Sequence, residues 1–539
     1  MIKYAFMLKD FYIQRIQRRL ARHINNANIV LLGRRVAALA PHPADERPVV
    51  FFKASSGIDD LSWNSAFHLL TSWGLRLQAV PVIFFACDHG MSRCVLGTNR
   101  DAPPQPPPCR SCVYQSKTLY SGAKVNWFGF ERDPELESAL KNLTLAQLMV
   151  FEWQGMPLGK LVLPGLRWIL RRHNLLDDDA TRFFLCEYIQ SAWNVAVSFG
   201  HFLDSTQPQA VIVFNGQFYP EAAAKWVAQG RGLRVISHEV GLLPATAFFT
   251  DGEATAYPIH IPDSFELNDA QSARLDAYLQ NRFQGNFSMA GVKFWTTMRG
   301  MDEDFLQKSA QFKQIVPVFT NVIFDTSQPH ANTIFPDMFA WLDLIIESAR
   351  RHPETLFVIR AHPDEMRVRK AGLETVAGWV ESRRATDLPN IHFVPPNEHL
   401  SSYELIARAR FVLIYNSTIG LEATILGAAV LCAGRARFTQ YPTVFFPQGQ
   451  AEYASLLEAF LAADTIDVPS KFRYNARRFL YYQLFRTSLP FGQFLETGVR
   501  STHARLKWFD PRDLLKSPAI QTVTKGLIEN GDFLLEENS

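Results

Sequence analysis

The sequence predicts an α/β protein made of two doubly wound units that face a cleft, with an N-terminal amphipathic helix and a Cys- and Pro-rich insertion. Three observations predict it. Short, wholly apolar runs alternate with segments of helical spacing, and apolar strands between helices read as parallel sheets covered on both faces. That alternation occurs twice, before about residue 270 and again after Gln314. At 539 residues the chain is long enough for two to four domains of roughly 150 residues each.

Taken in order, residues 1–40 form the first segment. Tyr4, Leu8, Tyr12, Ile16 and Leu20 recur every fourth position, with Lys9, Arg15, Arg18, Arg19 and Arg22 between them. This is an amphipathic helix with a basic face, suited either to packing on its own domain or to lying on anionic lipid. A Pro-rich link, Pro41 to Pro48, leads into residues 41–290. There the pattern predicts strands at Val49–Phe52, Val80–Ala86, Ala210–Phe214 and Leu233–Ser237. Helical spacing covers Leu61–Leu77, Leu136–Phe151, Thr181–Phe202 and Pro220–Gln229, and the Cys- and Pro-rich excursion 87–112 interrupts the series.

Between Ala270 and Gln314 the sequence is polar and weakly periodic, as an interdomain connection would be. The second unit, residues 291–470, carries expected strands at Val316–Phe324, Thr355–Arg360, Ile391–Val394, Phe411–Tyr415 and Val430–Ala433. Helices are expected at Phe339–Arg351, Leu373–Arg383, Tyr403–Arg408 and Gly420–Leu426. The aromatic, basic stretch Phe472–Phe485 reads as a long closing helix within residues 471–539.

Composition narrows the function. Lys+Arg number 55 against 52 Asp+Glu, a net charge of +3, too small to point to nucleic acid as a partner. Hydrophobic residues make up 47% and charged residues 20%, which excludes wholesale disorder. There is no apolar run near the ~20 residues of a membrane span, and the start lacks the pattern of a signal peptide. The expectation is a cytoplasmic enzyme, at most in contact with the inner face of the cell membrane.

Ligands of doubly wound units sit at the carboxyl ends of the strands. At one such end stands Asn416-Ser417-Thr418-Ile419-Gly420-Leu421-Glu422, where an apolar strand turns into a helix. Backbone N–H groups there, with the Ser417 and Thr418 hydroxyls, suit an anion, although plain N-capping by Asn416 or Ser417 explains the same residues. Glu422 is out of register for a capping box. It suits a ribose diol, or is a solvent-facing helix residue. At another strand end stands Arg360-Ala361-His362-Pro363. Period-two alternation puts Arg360 and His362 on one face, where a guanidinium and an imidazole suit a phosphate. An ion pair of Arg360 with Asp364 or Glu365 is the competing reading.

These motifs, Arg-x-His-Pro followed by Asn-Ser-Thr-x-Gly-x-Glu-Ala-x-x-x-Gly at Asn416 to Gly427, resemble the capsule polysaccharide biosynthesis glycosyltransferases, which include relatives of bacterial Kdo- and sialic-acid-type transferases. The resemblance is best from Val316 to Phe438. It is fainter at Phe214-Asn215-Gly216 and Ser237-His238-Glu239-Val240-Gly241. It implies the GT-B fold of two Rossmann-like domains, with an N-terminal acceptor domain and a C-terminal domain that binds a nucleotide-sugar donor through Arg360, His362, Asn416, Ser417, Thr418, Gly420 and Glu422. The acceptor would be a growing surface polysaccharide or glycolipid.

Inverting transfer needs a base for the acceptor hydroxyl. Glu239 at the end of a strand is the first choice and Glu221 the second, with His238 orienting Glu239 or stabilising the leaving phosphate. A salt bridge of Glu239 with Arg231 or Arg234 is the structural alternative. No Asp-x-Asp stands at a strand end, so the expected mechanism requires no metal or other cofactor. A sugar-nucleotide epimerase, a polyol-phosphate transferase of the same fold, or a non-catalytic polysaccharide assembly protein would fit the same cleft.

Cys87, Cys94, Cys109 and Cys112 lie within one loop, and Cys109-Arg-Ser-Cys112 has metal-ligand spacing. A structural zinc, free thiols and a disulfide are the three readings. The zinc reading rests on the intervening Pro-rich segment, which has few hydrogen-bond donors to tie its far end down.

Overall fold

The computed structural model describes residues 2–43, 47–55, 58, 60–284, 300–366, 371–398 and 400–537, with the backbone alone for residues 2–14. The boundary expected at 290/291 lies outside the described residues, as do the side chains of Tyr4, Leu8, Lys9 and Tyr12.

The protein is α/β. Its first sheet contains β1 (Val49–Lys53), β2 (Val82–Cys87), β3 (Lys124–Phe128), β4 (Ala210–Phe214), β5 (Arg234–Val240) and β6 (Thr246–Thr250). These lie in the order β6-β5-β4-β1-β2-β3. β1 to β5 are parallel and β6 is antiparallel to β5. The second sheet contains β7 (Gln314–Phe319), β8 (Thr355–Arg360), β9 (Ile391–Val394), β10 (Val412–Ile414) and β11 (Val430–Cys432), in the order β11-β10-β7-β8-β9 and all parallel.

Both parallel arrays therefore have one topology. The first strand is central, the second and third lie to one side, and the fourth and fifth to the other. Strand order reverses between β1 and β4, and again between β7 and β10. Such a reversal leaves a crevice at the carboxyl ends, because the flanking loops leave in opposite directions. Every residue of β1 and β8 is buried, which is why these strands read as unbroken apolar runs.

The chain does not stay in the second unit. After the helix Ser470–Tyr481 it crosses back, and β12 (Leu489–Pro490) pairs antiparallel with β6 at the edge of the first sheet. The helix Pro518–Ile528 then packs on the helix Trp63–Leu77. The inner face of the N-terminal helix, Ile2–Leu39, puts Ile29, Leu32 and Val36 into the same core.

Some elements differ from the sequence expectation. β3, Lys-Val-Asn-Trp-Phe, is an edge strand that alternates exposed and half-buried residues, so it lacks an apolar run. The polar stretch expected as a connection contains the helix Asp269–Phe283, started by a capping box between Asn268 and Gln271. β7 ends at Phe319, five residues before the expected end, and Asn321 and Asp325 fall in the loop beyond it.

The Pro-rich loop is tied down by side-chain hydrogen bonds. The Arg93 guanidinium donates to the carbonyls of Pro103 (3.1 Å) and Pro104 (2.9 Å), and Asn99 donates to Gln105 (2.8 Å). The four cysteines converge, lining one small apolar pocket. Gly90 N–H donates to the Cys87 sulfur (3.1 Å) and Gly97 N–H to the Cys94 sulfur (3.2 Å). Among the described residues no three His, Cys, Asp or Glu side chains are grouped so as to hold a metal ion. The arginine fork thus anchors the Pro-rich segment through backbone carbonyls.

A Cβ on Gly74 would stand 2.3 Å from Cγ2 of Ile520 in the returning helix. Gly74→Ala should therefore destabilise the protein, because an overpacking cost of about 1–3 kcal/mol exceeds the ~1 kcal/mol gained in helix propensity. A lowered melting temperature checks this.

Candidate functional site

The two crevices face one another. A cavity of about 410 Å³ lies between the units, lined by Trp168, Arg171 and Thr255 from the first and by Asn321, Asp325, His330, His362, Asn416, Ser417, Thr418, Arg435 and Arg437 from the second. On the second unit Asn321 and Asn416 follow β7 and β10, the strands that flank the reversal. Their side chains meet across it, Asn321 Nδ2 donating to Asn416 Oδ1 at 2.6 Å.

Asn416, Ser417 and Thr418 line the cavity as expected. Capping does not consume the hydroxyl of Thr418, which stands at the start of the helix Ile419–Ile425 with no side-chain cap hydrogen bond. His362 also lines the cavity. The N–H of Asp364 donates to His362 Nδ1 (3.1 Å), and burial lowers the ring's pKa. The neutral imidazole then carries its proton on Nε2.

Three expected residues are elsewhere. Arg360 is the last residue of β8, buried beside Glu398 and outside the cavity lining. Alternation cannot pair it with His362, because His362 lies past the end of the strand. Glu422 is buried inside the second unit, where it accepts from Arg282 Nε (2.7 Å) and from the Tyr403 hydroxyl. The ribose expectation for Glu422 is thereby corrected, since its oxygens are committed to a structural ion pair with the helix Asp269–Phe283. Gly420 allows close packing, because a Cβ there would meet Ile414 Cδ1 at 2.3 Å.

On the first unit Glu239 stands near the end of β5. Its carboxylate accepts from Asn64 Nδ2 (3.1 Å), Asn215 Nδ2 (2.9 Å) and the N–H of Val240 (2.8 Å). Burial raises its pKa despite these donors. The alternative salt bridges are not formed: Arg231 pairs with Asp204 and Arg234 with Asp251. Asn215, in a left-handed conformation at φ 61°, also donates to Thr326 Oγ1 (3.3 Å) of the second unit. Thr326 follows Asp325 of the cavity wall, so Glu239 is two hydrogen bonds from that wall.

His238 takes neither expected role. Neighbouring strand residues point to opposite faces, and its ring is fully buried in the first unit. His238 Nε2 lies 3.0 Å from His68 Nδ1, the ring stacks on Phe249, and burial pushes its pKa down to about 3. Glu221 is buried as well, its pKa pushed up to about 7 by burial against the opposing pull of Lys53. Lys53, the last residue of β1, was absent from the sequence reading. Its ammonium is buried and its pKa lowered by that burial.

Sequence reasoning also missed the cations of the cavity. Arg171 ends the helix Leu158–Leu170 at φ 56°, its guanidinium 4.1 Å from the Trp168 ring centroid and 5.2 Å from that of Phe324. Burial lowers its pKa to about 10, which leaves it charged at neutral pH. Arg435 and Arg437 follow β11, and the strand-end rule that located Asn416 would have located them too.

The residues that match a known family span most of the second unit. Residues 277–441 match the family of capsule polysaccharide biosynthesis proteins. The matched segment includes every second-unit residue named above in the cavity wall. A curated relative, Protein FixF of Sinorhizobium fredii, is 29% identical over 229 residues, 42% of this chain and 48% of that one. The match thus spans about half the length of that relative. Among solved structures, the Thermosulfurimonas dismutans KpsC β-Kdo 2,4-transferase aligns at TM-score 0.35 and 10% identity, over 52% of this chain and 80% of that one. Sucrose-phosphate synthase of Thermosynechococcus elongatus aligns at 0.28 and 11%, over 81% and 95%. Likenesses this distant carry no weight for function beside the capsule-family match.

Glu221→Gln should flatten the pH dependence of stability. The folded chain holds the Glu221 proton above pH 4.5, where the unfolded carboxyl has lost it. Its contribution is therefore full below about 4.5 and is lost as pH rises through about 7. Melting curves of both proteins across that window test the sign. Glu422→Gln should cost about 3–5 kcal/mol by leaving Arg282 buried with its countercharge removed, read by denaturant unfolding.

Proposed function

We propose that this protein is a glycosyltransferase that moves a sugar from a nucleotide-sugar donor to a growing capsule-type polysaccharide or glycolipid. The observation that carries the reading is one cleft with two chemistries. The cavity offers cations and hydroxyls to an anionic leaving group, and a carboxylate of raised proton affinity, Glu239, stands behind the first unit's side, linked through Asn215 to Thr326 next to the wall.

In this reading the donor phosphates lie against Ser417, Thr418, His362 and the guanidiniums of Arg171, Arg435 and Arg437. Guanidinium and N–H donors strengthen as negative charge grows on the departing phosphate, so they favour the transition state over the bound donor. Glu239 takes the acceptor hydroxyl's proton as that oxygen attacks the anomeric carbon from the face opposite the leaving group, which inverts the centre. Asn64 and Asn215 fix the carboxylate's orientation, and burial raises its basicity toward the working pH. In this reading proton transfer and charge stabilisation fall to these side chains.

The test is incubation with a panel of CMP-, UDP- and GDP-sugars. A thermal shift with one nucleotide class, and consumption of that donor only when acceptor is present, are the expected results. Donor turnover without acceptor, giving an isomerised sugar nucleotide, would favour the epimerase reading instead.

Two substitutions separate binding from chemistry. His362→Ala with Ser417→Ala should weaken nucleotide affinity about tenfold or more with little change in melting temperature, measured by calorimetry. Glu239→Gln should lower kcat by about 10²–10⁴ while leaving donor affinity near wild type. Transfer at the wild-type rate in that variant would move the base to another group.

A further inference from the structure

The N-terminal helix has two apolar faces, and the fold uses one. Asn25, Asn26, Ile29, Leu32, Gly33 and Val36 are buried against the first unit. Asn26 exchanges hydrogen bonds with Gln115, and Asn25 pairs with the backbone at Ala504 and Leu506, so the helix is fixed in rotation. On the opposite side Ile16, Leu20, Ile24 and Leu31 are 63%, 59%, 52% and 50% exposed. At 100° per residue these four fall within an arc of about 80°, centred nearly opposite the buried face. They form one stripe.

From residue 11 onward the helix carries charge of a single sign. Exposed Arg19, Arg34 and Arg35 lie on the stripe's flanks, and residues 11–44 contain no Asp or Glu. Beside Arg35, whose guanidinium lies 5.7 Å from its ring centroid, stands Trp508, 57% exposed on another element. Arg35 also reaches Asp510 at 3.8 Å. Among the described residues no helix is long and apolar enough to cross a membrane.

We propose that this outer face docks the protein on an anionic lipid bilayer, with the helix lying in the plane of the interface. The stripe enters the acyl boundary, the arginines reach headgroup phosphates with their stems along the apolar surface, and Trp508 sits at headgroup level. Charge selects this occupant over a second copy of the chain, because two such faces would bring arginine against arginine. The inference is independent of the proposed transfer reaction, since it uses no residue of the cleft.

The experiment is co-sedimentation of the full chain with vesicles of phosphatidylcholine alone, or of phosphatidylcholine mixed with phosphatidylglycerol. Binding is expected to the mixed vesicles and to fall steeply with salt. Ile16→Ser with Leu20→Ser, and separately Arg19→Glu with Arg34→Glu, should each reduce it at least tenfold with unchanged melting temperature, because these residues are exposed. Equal sedimentation with both vesicles, or none with either, would overturn the proposal. So would light scattering that shows a dimer abolished by the Ile16 and Leu20 substitutions, which would assign the stripe to a second copy.

Discussion

The side-chain amide of Asn215 joins the two halves of the cleft, and the candidate site depends on it. Its nitrogen donates to Glu239 in one unit and to Thr326 in the other, while its oxygen accepts from the N–H of Gln217. A left-handed backbone at a strand end makes this possible, because the side chain then turns out of the sheet and toward the facing unit. Asparagine tolerates that conformation better than most residues, and its amide can donate twice. Substituting either neighbour would leave a buried polar group short of a partner, so the carboxylate, the turn and the inter-unit contact constrain one another.

A second polar link runs beside it. Glu253 of the first unit is bound by Lys225 and Gln217, and His330 of the second unit lies within reach of Glu253 (3.3 Å) and of Thr255 (3.0 Å). Polar groups thus link the units at the cleft, while beside it Tyr257, Ile259 and Ile261 of the first unit share an apolar cluster with Leu421 and Phe438 of the second. The polar contacts face the cavity, which suits a cleft that must admit a polar ligand.

The sequence carried the central strands plainly. β1, β2, β4 and β8 are covered on both faces, so their unbroken apolar runs are forced by burial. β3 escaped because an edge strand alternates, and the helix Asp269–Phe283 escaped because its buried face is carried by few residues, including Arg282. In the site, His362, Asn416, Ser417 and Thr418 were legible because they sit in loops directly after strands. Arg360 and Glu422 were misread for a common reason: polar residues next to a ligand loop were assumed to face it. Each instead lies one step back along its element, where the interior supplies Glu398 or Arg282 as company. The cavity's Arg171 could not be read from local pattern at all, since its place depends on a helix end reaching the other unit.

The return of the chain to the first sheet has a consequence for how the protein is made. During synthesis β6 emerges well before β12, and the helix Trp63–Leu77 well before the helix Pro518–Ile528 that covers it. For most of translation the first unit thus presents an unpaired strand edge and an uncovered apolar helix face, both of which attract other chains. Native closure of that unit has to wait for residues beyond 488, after the whole second unit has left the ribosome. The nascent chain therefore carries its sticky surfaces for the time needed to synthesise roughly 240 further residues, tens of seconds at ribosomal rates, and its yield in a cell depends on what shields them meanwhile.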